Sequence, residues 1–191
     1  MRIIGGRLKG RILKSPSSDR VRPTSDRLRE TIFNILAHAY GNSVEGARVI
    51  DLFAGTGAMG FEAISRGAAF ALMVDNSAEA CAIIRANAAA LNLGSAARIF
   101  KRDARRLGAA PEGEKYSLAF VDPPYGRGLV APTLLALRDG GWLAKDALVV
   151  IEEAAGAAVD LPDTFSLSEV RRFGTTQIMI ASLTITSARC S

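Results

Sequence analysis

The stretch Val49-Ile-Asp-Leu-Phe-Ala-Gly-Thr-Gly-Ala-Met-Gly60 decides the fold expected for this chain. A short run of apolar and β-branched residues comes first, a turn with glycines at positions 55 and 57 follows, and a segment suited to a helix comes last. This order is typical of the first βαβ unit of an open α/β sheet, in which ligands bind at the carboxyl ends of the strands. Glycines let the backbone approach such a ligand, and the N-terminus of the following helix offers free N–H groups.

The rest of the chain repeats this alternation of strand and helix. Short apolar runs predict strands at Arg48–Leu52, Ala71–Val74, Ala97–Phe100, Leu118–Val121 and Leu148–Ile151. Alanine-rich windows predict helices at Ala58–Arg66, Ala78–Asn92 and Ala131–Asp139, with a short irregular stretch at Ala104–Leu107. Such repetition indicates right-handed βαβ units and a parallel sheet. Two later runs, Phe165–Arg172 and Ile178–Thr186, predict an antiparallel C-terminal hairpin that completes a mostly parallel, seven-stranded α/β sheet.

Basic residues are concentrated at the start of the chain. The 191 residues carry 24 Lys+Arg and 19 Asp+Glu, a net charge of +5. Residues 1–30 hold nine basic and three acidic side chains, a local charge of +6, so the other 161 residues carry −1. A basic segment beside a near-neutral body favours binding to a polyanion, because each neutralised phosphate releases counterions. On charge alone, a solvated N-terminus that only keeps the protein soluble remains the alternative.

The first residues have the pattern of a small β-hairpin. Short strands are predicted at Arg2–Ile4 and Arg11–Leu13, around a turn at Gly5-Gly6. A polar linker follows, and a helix is predicted from Ser25 to the residues before Gly41. We therefore predict a basic arm at residues 1–24 and one further domain at residues 25–191. The candidate RNA-binding residues are Arg2, Arg7, Lys9, Arg11, Lys14, Arg20, Arg22 and Arg27.

Two carboxylates accompany the glycine turn. Asp51 ends the first strand, where it would repel a pyrophosphate but can accept a hydrogen bond from an ammonium group. Asp75 ends the second strand, 20 residues beyond Gly55, where a carboxylate can accept from both ribose hydroxyls of a nucleoside. The turn also matches the dinucleotide fingerprint, so an NAD-binding oxidoreductase is an alternative. S-adenosylmethionine suits Asp51 better, because it carries an amine and no phosphate.

The segment Asp122-Pro-Pro-Tyr125 follows an apolar run and carries the predicted chemistry. Two prolines make the segment stiff and remove N–H donors. Asp122 and the Pro123 carbonyl can accept hydrogen bonds from both protons of one exocyclic amine, and Tyr125 offers a flat face on which a base can stack. Acceptors that hold these hydrogens aim the nitrogen lone pair at a methyl donor. The candidate catalytic residues are Asp122, Pro123, Pro124 and Tyr125. The acceptor they predict is an exocyclic amine of a purine, with adenine N6 of DNA or RNA as one alternative.

Together these motifs resemble the RsmD family of class I S-adenosylmethionine-dependent methyltransferases, which methylate the N2 amino group of a guanine in 16S ribosomal RNA. The matching stretches are Arg22-Pro-Thr-Ser-Asp-Arg-Leu-Arg-Glu-Thr-Ile-Phe-Asn34, Asp51 to Gly60, Val121-Asp-Pro-Pro-Tyr-Gly-Arg-Gly-Leu129 and Gly141-Trp-Leu143. The resemblance implies a Rossmann-like fold, S-adenosylmethionine as cofactor, and 16S ribosomal RNA as partner, either free or within an assembling 30S particle.

The resemblance also implies roles for individual residues. The methionine end of the cofactor would be lined by Asp51, Phe53, Ala54, Gly55, Thr56 and Gly57. Asp75, with Asn76 beside it, would hold the ribose, and Asp103 with Ala104 would meet the adenine. The chain departs from the family's common pattern at Asp75, where Glu is frequent, and at Tyr125, where Phe also occurs.

Other features of the sequence exclude several classes of protein. No apolar run reaches the roughly 18 residues of a membrane span, and the N-terminus lacks the apolar region of a signal peptide. Cys81, Cys190 and the single His38 provide neither a disulfide framework nor metal-ligand spacing. We expect a cytoplasmic, monomeric enzyme without a metal ion or membrane contact. Glu152-Glu153 end the fifth predicted strand, but no local signal assigns them a role.

Overall fold

The structure is a computed structural model that describes residues 1–16 and 26–184. Several expectations lie outside these residues: Arg20 and Arg22, the boundary after residue 24, the helix start at Ser25, the strand end at Thr186, and Cys190. The chain divides into two compact units, Met1–Ala104 and Arg105–Ser191. The separate arm at residues 1–24 therefore stays a prediction.

The described part of the first unit contains three parallel strands and three α-helices. The strands are β1 (Arg48–Leu52), β2 (Phe70–Asp75) and β3 (Ala97–Lys101), and the helices are α1 (Asp26–Ala39), α2 (Ala58–Ser65) and α3 (Ala78–Ala90). β1 pairs with β2, and β2 pairs with β3, all in parallel. Parallel neighbours need a crossover, which α2 and α3 supply. The carboxyl ends of the three strands consequently lie at one edge.

Up to residue 184, the second unit contains one parallel and two antiparallel strand pairs. Its elements are β4 (Tyr116–Val121), α4 (Val130–Asp139), β5 (Leu143–Ala154), β6 (Phe165–Phe173) and β7 (Thr176–Leu183). β4 pairs in parallel with β5, whereas β7 runs antiparallel to both β5 and β6. With the strand order β3-β2-β1-β4-β5-β7-β6, the predicted seven-stranded and mostly parallel sheet with an antiparallel C-terminal hairpin is confirmed.

Apolar periodicity explains where these elements bury their side chains. Every residue of β1 after Arg48 is buried, as expected of a parallel strand that is covered on both faces. Helix α1 buries Leu28, Ile32 and Leu36, which recur at the helical spacing that predicts this element. No helix in the described ranges is both long and apolar enough to cross a membrane.

Residues 1–14 form a hairpin, called here the N-terminal hairpin. Its antiparallel pairing is confirmed by a single β-bridge between Arg2 and Ile12 and by a hydrogen bond from the Ile3 amide to the Arg11 carbonyl at 3.0 Å. A one-turn 3-10 helix at Gly6–Leu8 connects its two arms. The pairing is shorter than the two predicted strands, because amides near the turn bond to helix α2 instead.

A buried carboxylate on α2 holds the N-terminal hairpin. Glu62 is fully buried and accepts hydrogen bonds from the amides of Ile4 and Gly5, both at 2.8 Å. The Nε of Arg66 donates to the same carboxylate at 2.7 Å. These donors compensate for the burial of a charge that would otherwise be very unfavourable. Glu62 therefore joins the hairpin to the body of the first unit.

Ser65, one turn further along α2, adds a close contact with the hairpin. Its hydroxyl donates to the Gly5 carbonyl at 2.5 Å and accepts from the Leu8 amide at 2.9 Å. Gly6 has a φ of +72°, and a Cβ at this position would lie 1.8 Å from the Ser65 carbonyl oxygen. Only glycine fits so close to the backbone of α2.

Arg29 on α1 is one of the nine basic residues at the start of the chain, yet its side chain is fully buried. Its Nη2 donates to the Arg2 carbonyl at 2.7 Å and to Asp26 at 2.9 Å, and its Nε lies 3.7 Å from a Glu62 oxygen. Arg29 therefore adds to the net charge of residues 1–30 without presenting its side chain at the surface. Arg29 stabilises the fold instead.

Loss of the Glu62 carboxylate should destabilise the protein. Glu62→Ala leaves the hairpin amides without an acceptor and Arg29 without a nearby buried counter-charge, so we expect the free energy of unfolding to fall by about 3–5 kcal/mol. Urea denaturation monitored by circular dichroism measures this change. Glu30→Ala, at an exposed position of α1, is the matched control and should leave the midpoint unchanged. Equal midpoints for the two variants would contradict the role of Glu62.

Candidate cofactor and base sites

The loop from Phe53 to Gly57, called here the glycine loop, connects β1 to α2 through a left-handed backbone. Phe53, Gly55 and Gly57 have φ values of 60°, 56° and 78°. A Cβ at Gly57 would lie 2.6 Å from a Phe61 ring carbon and 2.9 Å from the Met73 sulfur, so a side chain cannot fit there. At Gly55, an added Cβ would meet no atom closer than 3.9 Å. The backbone at Gly55 consequently borders open space in which a ligand can approach it.

Asp75, at the end of β2, stabilises the glycine loop. One carboxylate oxygen accepts from the Gly55 amide at 2.9 Å, and the other accepts from the Ser77 amide at 2.8 Å. The residue is half-buried. A carboxylate has about four acceptor positions, so two bonds leave capacity for further donors such as ribose hydroxyls. The structure therefore supports Asp75 as a residue that can both shape the loop and bind a ligand.

Asp51, at the end of β1, is 2% exposed and accepts from the Gly60 amide at 2.9 Å. Burial raises the pKa of Asp51 to about 7; the Gly60 hydrogen bond lowers this pKa and the charge of Asp75 raises it. Near neutral pH, Asp51 is thus close to the balance between its acid and its carboxylate. An ammonium group beside it would favour the carboxylate. This chemistry fits the amine predicted for the ligand.

The other predicted cofactor residues lie on the same loops. Phe53 and Ala54 are half-buried, Thr56 is buried, Asn76 is exposed, Asp103 is half-buried directly after β3, and Ala104 is buried. Asp75 is thus the last residue of β2, and Asp103 follows the neighbouring parallel strand β3 at its carboxyl end. This arrangement suits a long ligand that extends across the edge of β1, β2 and β3.

The Asp122-Pro-Pro-Tyr125 turn follows β4 in the second unit. Asp122 and Tyr125 are half-buried, Pro123 is buried and Pro124 is exposed. The Tyr125 hydroxyl donates to Glu152 at 2.5 Å and lies 3.1 Å from the Thr176 hydroxyl. Burial, and then the hydrogen bond to Glu152, raise the pKa of the Tyr125 hydroxyl. The hydroxyl therefore stays protonated at neutral pH, and the ring is fixed from its far end.

Two carboxylates that the sequence analysis left without a role support this turn. Glu152 and Glu153 lie in β5, directly before its last residue Ala154, and both are buried. Glu153 accepts from the Gly126 amide at 3.0 Å and from the Ala154 amide at 2.8 Å. The only signal in the sequence was a pair of acidic residues at the end of an apolar run, and it names no partner. Glu152 and Glu153 hold Tyr125 and the residue after it.

The predicted RNA-binding side chains within the described residues are exposed. They are Arg2, Arg7, Lys9, Arg11 and Lys14 of the N-terminal hairpin and Arg27 on α1. Arg11 also donates to the Ala90 carbonyl at 2.7 Å, and Arg2 lies 3.6 Å from Asp26. Across residues 1–16 and 26–184, no group of His, Cys, Asp and Glu side chains is arranged to hold a metal ion.

Comparisons with known proteins agree with this arrangement. A family model described as "Conserved hypothetical protein 95" matches residues 1–182. The chain is 40% identical over 168 residues to "Ribosomal RNA small subunit methyltransferase D" of Escherichia coli (strain K12), covering 87% of this chain and 82% of that protein. The solved structure of the putative methyltransferase yhhF from Escherichia coli has a TM-score of 0.81 and 35% identity, covering 96% of this chain and 98% of the other.

A more distant structure shares the fold alone. Magnesium protoporphyrin IX methyltransferase (ChlM) from Synechocystis PCC 6803, solved with bound SAM, has a TM-score of 0.63 and 17% identity, covering 83% of this chain and 79% of that one. The predicted class I methyltransferase fold is confirmed, and it points to S-adenosylmethionine as the cofactor. The open space at Gly55 and the two carboxylates fit this group. Because the family model spans residues 1–182, this chain belongs to the RsmD family of methyltransferases.

Proposed function

We propose that this protein transfers a methyl group from S-adenosylmethionine to the N2 amino group of a guanine in 16S ribosomal RNA. The observation that carries the proposal is the Asp122-Pro-Pro-Tyr125 turn, whose tyrosine is fixed by Glu152 and Thr176. A relative that is named a ribosomal RNA small subunit methyltransferase supports ribosomal RNA as the substrate class.

The first unit binds the cofactor in this proposal. S-adenosylmethionine, when bound, supplies an electrophilic methyl group on a sulfonium centre. Asp51 would accept a hydrogen bond from the amine of the ligand, Asp75 would accept from its ribose hydroxyls, and Asp103 would meet its adenine. The glycine loop would hold the methionine end, since the space beside Gly55 is open. Asn76 and Ala104 would flank the ribose and adenine positions.

The second unit binds the guanine. Tyr125 presents one ring face for stacking, and the bond from its hydroxyl to Glu152 fixes the orientation of that face. Asp122 and the Pro123 carbonyl would accept hydrogen bonds from the two N2–H groups, which leaves the nitrogen lone pair available to the methyl group. As the N–C bond forms, the bond from the methyl carbon to the sulfonium sulfur would break and S-adenosylhomocysteine would leave. The amine then loses one proton, to Asp122 or to water. A base-paired guanine must first leave its helix.

The basic side chains of the N-terminal hairpin hold the RNA backbone. Arg7 and Lys9 lie on the exposed side of a hairpin whose other side is fastened to α2. Phosphate contacts of this kind give affinity and orientation without reading the sequence. We propose that the protein works on 16S ribosomal RNA, free or in an assembling 30S particle, as a cytoplasmic monomer.

Adenine N6 is the second candidate acceptor, because a pair of hydrogen-bond acceptors suits either exocyclic amine. RNA oligonucleotides that contain adenine but no guanine separate the two possibilities. Methylation of such RNA would favour the adenine enzyme, and methylation only of guanine-containing RNA supports the proposal. The family assignment favours methyl transfer over the NAD-dependent oxidoreductase.

Asp122→Ala should abolish methyl transfer while cofactor binding persists. Loss of an acceptor that acts on the reacting amine should lower kcat by at least about 100-fold. Methyl incorporation into unmodified 16S ribosomal RNA measures kcat, and calorimetric titration with S-adenosylhomocysteine measures cofactor binding. Asp122→Asn keeps one acceptor oxygen and should lose less activity. Asp139→Ala, at an exposed position at the end of α4, is the control. Normal methylation by Asp122→Ala would show that the acceptor model is wrong.

Cofactor affinity should weaken as the pH falls below about 7. The pKa of Asp51 is about 7, so at lower pH the free protein carries the neutral acid, which must lose its proton to pair with the ammonium group. The Kd of S-adenosylhomocysteine should rise by up to about tenfold per pH unit below neutrality. Asp51→Asn keeps an acceptor for the Gly60 amide but cannot ionise, so its Kd should be higher and less pH-dependent. Parallel pH profiles for the two proteins would contradict the assignment.

Removal of two hairpin charges should reduce the salt dependence of RNA binding. Each lost phosphate contact reduces the magnitude of the negative slope of log K against log salt by about 0.7–0.9. Arg7→Ala/Lys9→Ala should therefore make the slope shallower by up to twice that amount. Fluorescence anisotropy at several salt concentrations measures the slope. Lys115→Ala/Lys145→Ala removes the same charge from exposed positions near the amino ends of β4 and β5. Equal slopes for the two double variants would refute RNA binding by the hairpin.

A further inference from the structure

A buried asparagine joins the glycine loop to the N-terminal hairpin. Asn87 lies on α3 and is 1% exposed. Its Nδ2 donates to the Thr56 carbonyl and to the Lys14 carbonyl, both at 3.1 Å, and its Oδ1 accepts from the Lys14 amide at 2.8 Å. Both N–H donors of the side chain are thus in use. The Asn87 side chain therefore pairs with the backbone N–H and C=O of Lys14, as a residue of a neighbouring strand would. The same side chain also donates to the Thr56 carbonyl.

Asparagine is an unexpected residue at this position of α3. Seven of the 13 residues of the helix are alanine, the best helix former, whereas asparagine is among the poorer ones. Burial of an amide side chain is also unfavourable unless its hydrogen bonds are made. Helix formation and apolar packing would both favour another residue. The hydrogen bonds to Lys14 and Thr56 therefore explain why an asparagine stands at this position.

Thr56 connects to both arms of the hairpin. It is buried between Gly55 and Gly57, and its hydroxyl lies 3.3 Å from the Met1 sulfur. The first arm is therefore in direct contact with Thr56, and the second arm is connected to it through Asn87 and Lys14. The Thr56 peptide, which lies between Gly55 and Gly57, is therefore connected to the hairpin by hydrogen bonds.

We propose that Asn87 is a positioning residue that couples ligand binding in the glycine loop to the N-terminal hairpin. A ligand that fixes the Thr56 peptide also fixes the acceptor of the Asn87 amide, and Lys14 with it. The basic side chains of the hairpin are then held at a defined distance from the loop. This inference rests on the proposed function, in which the hairpin binds RNA. Such coupling is reciprocal, so RNA on the hairpin strengthens cofactor binding by the same factor.

Hydrogen exchange measured by mass spectrometry tests the coupling without RNA. Peptides that span residues 1–14 are followed with and without saturating S-adenosylhomocysteine, with saturation established by calorimetry for each variant. In the unmodified protein, the ligand should slow exchange in the hairpin by about fivefold or more, the usual lower range of a coupling between sites. No change in the hairpin would overturn the proposal.

Two substitutions at Asn87 separate the coupling from simple attachment. Asn87→Asp keeps an oxygen that accepts from the Lys14 amide but loses the donor to Thr56, so the ligand should slow exchange in the glycine loop and not in the hairpin. Asn87→Ala removes all three bonds and should show the same loss, which provides a second variant if Asn87→Asp does not fold. Slowing of the hairpin that persists in the folded variants would overturn the proposal.

Ser65→Ala is the matched control, because it loosens the hairpin without touching Thr56. This substitution removes the acceptor of the Leu8 amide and the donor to the Gly5 carbonyl. The hairpin should exchange faster with and without ligand, and the slowing caused by the ligand should persist. Loss of the slowing in Ser65→Ala as well would show that Asn87 acts as one attachment among several, which contradicts the proposal.

Methylation and RNA binding distinguish this inference from the proposed function. The unmodified protein should bind 16S ribosomal RNA about fivefold or more tightly when S-adenosylhomocysteine is present, and Asn87→Asp should bind it equally with and without that ligand. Absence of methyl transfer to 16S ribosomal RNA by the unmodified protein would refute the proposed function alone. Methyl transfer without any ligand effect on the hairpin would refute the role of Asn87 alone.

Discussion

Between β1 and α2 the chain reverses direction in a loop that has no room for a side chain at Gly57, where a Cβ would overlap Phe61 and Met73. The backbone is left-handed at three of the five loop residues, and one of them, Phe53, is not a glycine. This geometry directs the Gly55 amide to Asp75 and the Thr56 carbonyl to Asn87. The same turn that leaves open space for a ligand therefore also sets where α2 begins and where the N-terminal hairpin attaches.

Elements with a strong local signal were predictable from the sequence. The bounds of β1 agree with the prediction, and α1 follows from its apolar spacing. The first half of β5 was missed, because Lys145 and Asp146 are exposed and Asp146 has a φ of 57°, an interruption that hides the strand pattern. The hairpin strands were predicted too long for a different reason: the amides of Ile4 and Gly5 bond to Glu62, and no sequence pattern reveals that competition.

The candidate site likewise contains some residues that could be predicted from the sequence and others that could not. Asp51, Asp75 and Asp122 could be chosen because the end of a predicted strand is a local property. Their partners and supports could not, since Glu152 is 27 residues from Tyr125, and Asn87 is 31 residues from Thr56. The count of charged residues was the least reliable guide to which side chains lie at the surface, because composition does not show burial. Arg29 counts among the nine basic residues of positions 1–30, but its charge is compensated inside the first unit by Asp26 and Glu62.

The close approach of Gly6 to the Ser65 carbonyl has a practical meaning for protein engineering. One side of the hairpin is fastened through backbone groups that tolerate no added side chain, whereas Arg7 and Lys9 on the other side are exposed. A library that varies the affinity of the proposed RNA-binding surface can therefore randomise positions 7 and 9 while position 6 stays glycine. Such changes would alter the charge of the hairpin surface without disturbing the glycine loop.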